Sequence, residues 1–199
     1  MTMILTTVAP PAVEPVFLAE AKEHLRVIDS SEDNLITRLI TAARLECELI
    51  SRRALITQTL AAAFMEWPGR SVKLARPPLQ SVVSIIYTDS DGNSGTVSAD
   101  DYIVDTTSVP GRVWLKANAS WPATTLQAGP SIVITYVAGF GDAGSDVPEN
   151  YRQALLLILG DYYENRERMV VDRGLTPVVL DAVNHLLYID RGAFGGEFD

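Results

Sequence analysis

Apolar residues recur every three to four positions at both ends of this chain and every second position in its middle. Leu18, Ala21, Leu25 and Ile28 fall at spacings of 3, 4 and 3. That is one apolar stripe of a helix, and it predicts a first helix over 18–28. Ile36, Leu39, Ile40, Ala43, Cys47 and Ile50 keep the same period, predicting a longer helix over 32–53. Ser30, with Asp33 three residues on, reads as its capping box. Arg44, Glu48 and Arg52 fall four apart on another face, as solvated or interface pairs.

The period then changes. Thr57 to Met65 reads as a strand, and Val83, Ile85 and Tyr87 alternate with Val82, Ser84 and Ile86, the two-residue repeat of a pleated strand. Asp91-Gly92 is a turn signal just beyond. Short strands follow over 101–105, 112–115 and 131–137. Pro77, Pro78, Pro110, Gly111, Pro122, Gly129 and Pro130 punctuate them.

Helical spacing returns near Val147. Asp146 is the expected N-cap, with Pro148 in the first turn and Glu149 three residues past the cap. This helix is expected to reach Arg166, and its Leu155–Leu159 stretch is apolar nearly all round, as a central core helix would be. Thr176-Pro177 opens a last helix carrying Val179, Ala182, Val183 and Leu186 and ending by Gly192. The expected class is α+β: a bundle of about four helices with an antiparallel β domain inserted between its second and third long helices. The expected divisions are an extended N-terminal arm over 1–16, a helical domain from 17–56 and 145–191, a β domain over 57–144 and a C-terminal tail over 192–199.

Composition narrows the function. Among 199 residues, 47% are hydrophobic and 21% charged, enough apolar matter for a packed core. With 16 Lys+Arg against 25 Asp+Glu the formal charge is −9, which argues against gripping phosphate backbones. The excess is uneven: residues 142–199 hold 5 basic and 11 acidic side chains, a net −6. One cysteine, Cys47, rules out an intramolecular disulfide scaffold. The first 13 residues carry no basic residue and do not read as a signal peptide. No apolar run approaches the roughly 20 residues of a membrane span. A cytosolic product is expected.

Candidate chemistry is sparse. Gly139, Gly141 and Gly144 match G-x-G-x-x-G between a strand and a helix, the local setting of a phosphate cradle. Against that, Ser145, Asp146 and Pro148 intervene before the helix, Asp146 would repel phosphate, and no second strand follows. A plain glycine-rich turn is the better reading. Asp89, Asp91 and Asn93 around Gly92 suggest a calcium loop, but the glycine and the final acid are out of place for one, so a hairpin turn is expected. Asp100-Asp101 reads as a solvated strand start, and Cys47, on its helix's apolar stripe, as a buried inert thiol. His24 and His185 read as surface or interface residues. Trp67, Trp114 and Trp121 fall in or beside a charge-neutral β module, so core or subunit contacts are expected of them above base stacking. No catalytic, cofactor-binding or metal-ligating set is predicted. Tyr and Arg near the end of the third helix suit a protein interface.

The order of segments carries a resemblance. Leu18-Ala19-Glu20-Ala21-Lys22-Glu23-His24-Leu25 begins it, followed by Leu35 to Glu48 with its Ala42-Ala43-Arg44 core. Trp67-Pro68, Pro77-Pro78-Leu79-Gln80, Tyr87 to Gly92 and Asp101-Tyr102-Ile103-Val104 come next. Tyr136 to Gly141 and Val147-Pro148 through Tyr163-Glu164-Asn165-Arg166-Glu167 complete it. Over about 18–191 the chain resembles the head-to-tail connector (adaptor) proteins of tailed bacteriophages and gene transfer particles, in the branch with a β domain set into the helical fold. The resemblance implies a non-enzymatic subunit of a ring, usually of twelve copies, at the head–tail junction of a virion and made in the host bacterial cytoplasm. It would dock beneath a portal protein, meet a stopper or tail-completion protein, and let DNA pass, with no cofactor and no membrane. Tyr163, Arg166, Leu187, Tyr188, Arg191, Phe194 and Phe198 are the candidate portal or subunit contacts. The alternatives are a stopper or tail-completion protein itself, or a nucleotide-binding protein using the Gly139–Gly144 turn.

Overall fold

A computed structural model describes residues 3–165, 175 and 177–193. Their elements run β1 (Met3–Ala9), α1 (Leu18–Leu25), α2 (Asp33–Ser51), β2 (Gln58–Phe64), β3 (Ser71–Lys73), β4 (Leu79–Thr88), β5 (Ser94–Thr96), β6 (Tyr102–Asp105), β7 (Arg112–Leu115), β8 (Ile132–Ala138), α3 (Glu149–Glu164) and α4 (Pro177–Ala193). The class is α+β, with antiparallel sheets. The chain forms two compact units. One joins Thr57–Gly139 with the N-terminal residues up to Pro11; the other joins Ala12–Ile56 with the chain from Phe140 on. Residues 140–144, expected within the β domain, thus belong to the helical unit.

The β unit holds a five-stranded sheet of order β1-β2-β8-β4-β5 and a three-stranded sheet of order β3-β7-β6. Strand β8 lies at the centre of the larger sheet because its alternate residues Ile132, Ile134, Tyr136 and Ala138 are all buried. The Tyr136 hydroxyl donates to the Ala75 carbonyl at 2.8 Å, so its polar tip is satisfied inside. Three short or peripheral strands escaped the periodicity. The N-terminal segment is one of them: it is not a free arm, since Met3 to Ala9 pair antiparallel with β2 from Phe64 to Thr59. Strands β3 and β5 have three residues each, too few to show an alternation.

In the helical unit, α3 packs against α1, α2 and α4. Its Tyr151, Ala154, Leu155, Ile158 and Leu159 are all essentially inaccessible. Fully burying one such aliphatic side chain stabilises by about 1.5–3 kcal/mol, which outweighs the modest helix propensity of Ile and Tyr. Ala21, Ile36, Leu39, Ile40, Ala43, Cys47, Val183 and Leu187 belong to the same core.

Several helix ends differ from expectation. Helix α1 stops at Leu25, because Arg26 turns left-handed (φ 57°) and the Val27 N–H closes back on the Lys22 carbonyl at 3.0 Å. This is a Schellman-like ending without its usual glycine. Ile28 is therefore off the helix and 97% exposed. At the start of α2 there is no Ser30–Asp33 capping box; the Asp33 carboxylate instead accepts the Lys22 ammonium at 2.6 Å. Asp146 is not the N-cap of α3, a position held by Pro148.

Candidate assembly surfaces

Helix α4 opens on Pro177, whose fixed φ suits a first helical turn. Val179, Val183, Leu186 and Leu187 form its inner side, Val183 and Leu187 fully buried and the other two packed against the same core. The Asn150 amide donates to the Leu186 carbonyl at 3.2 Å and ties α4 to the start of α3. On the outer side stand Val178, Asp181, His185 and Tyr188, with Val178 80% and Tyr188 69% exposed. Burying such a tyrosine needs a surface from outside the fold, which aromatic anchors at interfaces supply.

The candidate contact residues fall in different places. Tyr188 is exposed, whereas Leu187 lies in the core with its side chain turned away from any partner. Tyr163 is half-buried, packs against that core, and its hydroxyl donates to the Glu32 carboxylate. Beside it, Tyr162 has its phenol pushed up to about 12, by burial first and then by the Glu46 and Asp161 charges. Arg166, Phe194 and Phe198 lie outside the described residues. Arg191 belongs to α4, but its side chain is outside what is described.

The glycine-rich turn between β8 and α3 is closed from within. The Asp146 carboxylate accepts the Ala143 N–H at 2.9 Å, occupying the donor a phosphate would need. A Cβ on Gly141 would collide with that carboxylate, and one on Gly144 would lie 2.6 Å from the Pro15 carbonyl oxygen. Both glycines are thus required by close packing. The Asp89 loop is a hairpin turn, as expected: its carboxylate accepts the N–H groups of Asp91 (3.0 Å) and Asn93 (2.8 Å), and Gly92 takes φ 84°. These bonds hold the Asp89 carboxyl below the usual range, that of the Asn93 N–H first. Asp105 is held lower still by Ser108 and Thr107, whose hydroxyls and N–H groups it accepts.

Trp67 stacks on Trp121 at 5.0 Å between ring centroids and meets Tyr87 edge-on at 5.5 Å. The Trp121 indole N–H is shared by the Pro68 (2.7 Å) and Gly69 (2.9 Å) carbonyls. These rings serve the β unit's own packing. Trp114 alone of the three is exposed (39%), with the Arg112 guanidinium 5.8 Å from its ring centre. Among the described residues no group of three or more His, Cys, Asp and Glu is placed to hold a metal ion. No helix among them is long and apolar enough to cross a membrane.

No protein-family model and no curated protein matches the sequence. Solved structures do match. A chain from the virion of a native gene transfer agent particle superposes with a TM-score of 0.73 at 22% identity, over 92% of this chain and 94% of that one. A chain from the neck of the empty particle, computed with C6 symmetry, gives 0.73 at 24% over the same shares. The neck of the native particle, computed with C12 symmetry, gives 0.66 at 24% over 95% and 94%. The chain has the fold of a neck subunit of gene transfer agent particles.

In this neck-subunit fold two groups of residues stand out, one that periodicity misplaced and one that it passed over. Arg44 and Glu48 are not a solvated pair but are 6% and 4% exposed. Arg44 Nε meets Glu14 at 2.7 Å, its Nη1 meets Glu48 at 3.3 Å, and Glu48 also accepts the Leu55 N–H at 3.0 Å. Thr41 donates to the other Glu14 oxygen at 2.8 Å. The network pins the incoming segment before α1 and the outgoing one after α2 to a single helix. The Arg44–Glu48 spacing was legible in the sequence, but Glu14, an acid among prolines, carried no sign of joining it. The second group is Leu45 and Leu49, which lie on the outer stripe of α2 at 55% and 62% exposure. They were legible as apolar residues outside the predicted buried face.

Proposed function

We propose that this chain is a structural subunit of the head-to-tail neck of a phage-like particle: an adaptor that forms a ring beneath the portal and leaves a passage for DNA. The observation that carries the reading is the fold, shared over more than nine-tenths of both chains with neck subunits of gene transfer agent particles. Those necks were computed with sixfold and twelvefold symmetry, which supports a ring, with twelve copies as the working number. A closed ring needs two different faces of one subunit to meet. The working partners are the portal on one side and a stopper or tail-completion protein on the other. Synthesis is in the host cytoplasm and residence in the virion. The role is mechanical, and no residue is assigned to catalysis or to a cofactor.

Tyr188 is the exposed member of the described contact candidates. Arg166, Arg191, Phe194 and Phe198 remain with it as proposed portal or neighbour contacts, and Tyr163 as a support held by Glu32. The −6 charge over 142–199 is proposed to line part of the passage, where like charge keeps DNA from sticking.

Light scattering after size exclusion tests the reading, on the protein alone and mixed with the portal of the same particle. A stoichiometric ring complex with portal is expected. A small species indifferent to portal would overturn the adaptor role, and binding to a tail-side protein in its place would move the chain to a stopper position.

A further inference from the structure

The outer faces of α2 and α4 differ in character. Both helices pack on α3, and they make no comparable contact with each other. The α2 face carries Arg38, Leu45 and Leu49 at helical spacing, and Arg52 follows as the left-handed C-cap just past the helix; all four are exposed. It is an apolar centre between two cations. The α4 face carries Val178, Asp181, His185 and Tyr188, also exposed. It is an anion and an imidazole between two apolar ends. Leu45 and Leu49 stand about 6 Å apart along their axis and Val178 and Tyr188 about 15 Å.

We infer that the outer face of α2 on one copy packs against the outer face of α4 on the next. The occupant of each face is thus a second copy of this chain, and the inference rests on the ring reading above. Three features carry it. The patches are of opposite charge, Arg38 and Arg52 against Asp181, whereas self-pairing of the α2 face would set arginine against arginine. Each patch exposes large apolar side chains, whereas Leu180, at 37%, is the other large apolar residue exposed among those described on the two helices. Each subunit offers one face of each kind, turned away from the common α3, which is the heterologous arrangement that closes a ring.

Disulfide trapping tests this. Leu49→Cys and Tyr188→Cys variants are made separately, checked by circular dichroism, mixed, and oxidised mildly with the cognate portal present. The native Cys47 is fully buried and does not compete. The mixture is expected to yield a covalent 49–188 dimer at least ~10-fold above either variant alone, as unlike faces require. Leu45→Cys with Val178→Cys is the second pair, in case Leu49→Cys does not fold. Equal dimer from each variant alone would mean that like faces meet, and would overturn the inference. A portal complex that forms without the mixed dimer would also overturn it while leaving the adaptor role standing. Absence of any complex would remove both.

Discussion

Cys47 shows how far one residue's surroundings set its chemistry. Its thiol is pushed up to about 12, chiefly by burial and then by the Glu48 and Glu46 charges, so almost no thiolate exists near neutrality. A disulfide exchange reagent at pH 8 is expected to modify it only as fast as the unfolded protein appears. Rapid labelling of the native protein would show that the helical core opens there. At Gly144 the constraint is steric. Gly144→Ala would drive a Cβ against the Pro15 carbonyl, and a loss of about 1–3 kcal/mol is expected in chemical denaturation. Arg44→Ala would remove the cation that Glu14 and Glu48 share. A loss of about 3–5 kcal/mol is expected, against well under 1 kcal/mol for the exposed Arg38→Ala.

Among the elements, β1 has the most to show. Its Met-Ile-Leu-Thr-Thr-Val-Ala run has no charge and no proline, yet it forms one edge of the five-stranded sheet. Removing residues 1–10 would uncover the edge of β2, whose Leu60, Ala62 and Phe64 belong to the core. Unsatisfied strand edges pair with other chains, so the truncated protein is expected to scatter light at concentrations where the full chain stays clear. Equal solubility would mean that β1 is dispensable to the sheet. The short α1 makes the opposite point. Its periodicity extends through Ile28, but backbone closure at Arg26 ends it earlier, and no glycine announces the stop.

Over the whole molecule, the raised groups set the alkaline limit. Cys47 and Tyr162 are both pushed up to about 12, and Tyr136 is raised by burial as well. Each raised acid favours the folded state while it stays protonated there. Their contribution is complete below the unfolded values near 9 and 10 and is lost as pH rises towards 12. Denaturation midpoints are expected to fall steeply between those limits. The acid side has the reverse sign. Asp89 and Asp105 are lowered by their turns, so their contribution is present above about 3.8 and is lost as pH falls below it. An Asp105→Asn variant is expected to flatten that acid slope, read from the thermal midpoint between pH 5 and 3.

Local order was legible wherever the chain repeats a period against its own core. The stripes on α2, α3 and α4 and the alternation along β8 are hydrophobic patterns that burial alone enforces, so the α+β class and the main helices could be read from residues 33–51, 149–164, 177–193 and 132–138. The turn at Asp91-Gly92 was legible too, since glycine there answers a local backbone need (φ 84°), whereas Gly144 answers to the distant Pro15 carbonyl. What required the folded chain is long-range. Strand β1 exists because β2 offers a partner fifty or more residues away. Arg44 is buried because Glu14 and Glu48 converge on it, and Leu187 and Tyr188, neighbours in sequence, part company because α3 covers only one side of α4. A partner across the fold can reverse the exposure that a residue's own neighbours imply, and no window of sequence contains that partner.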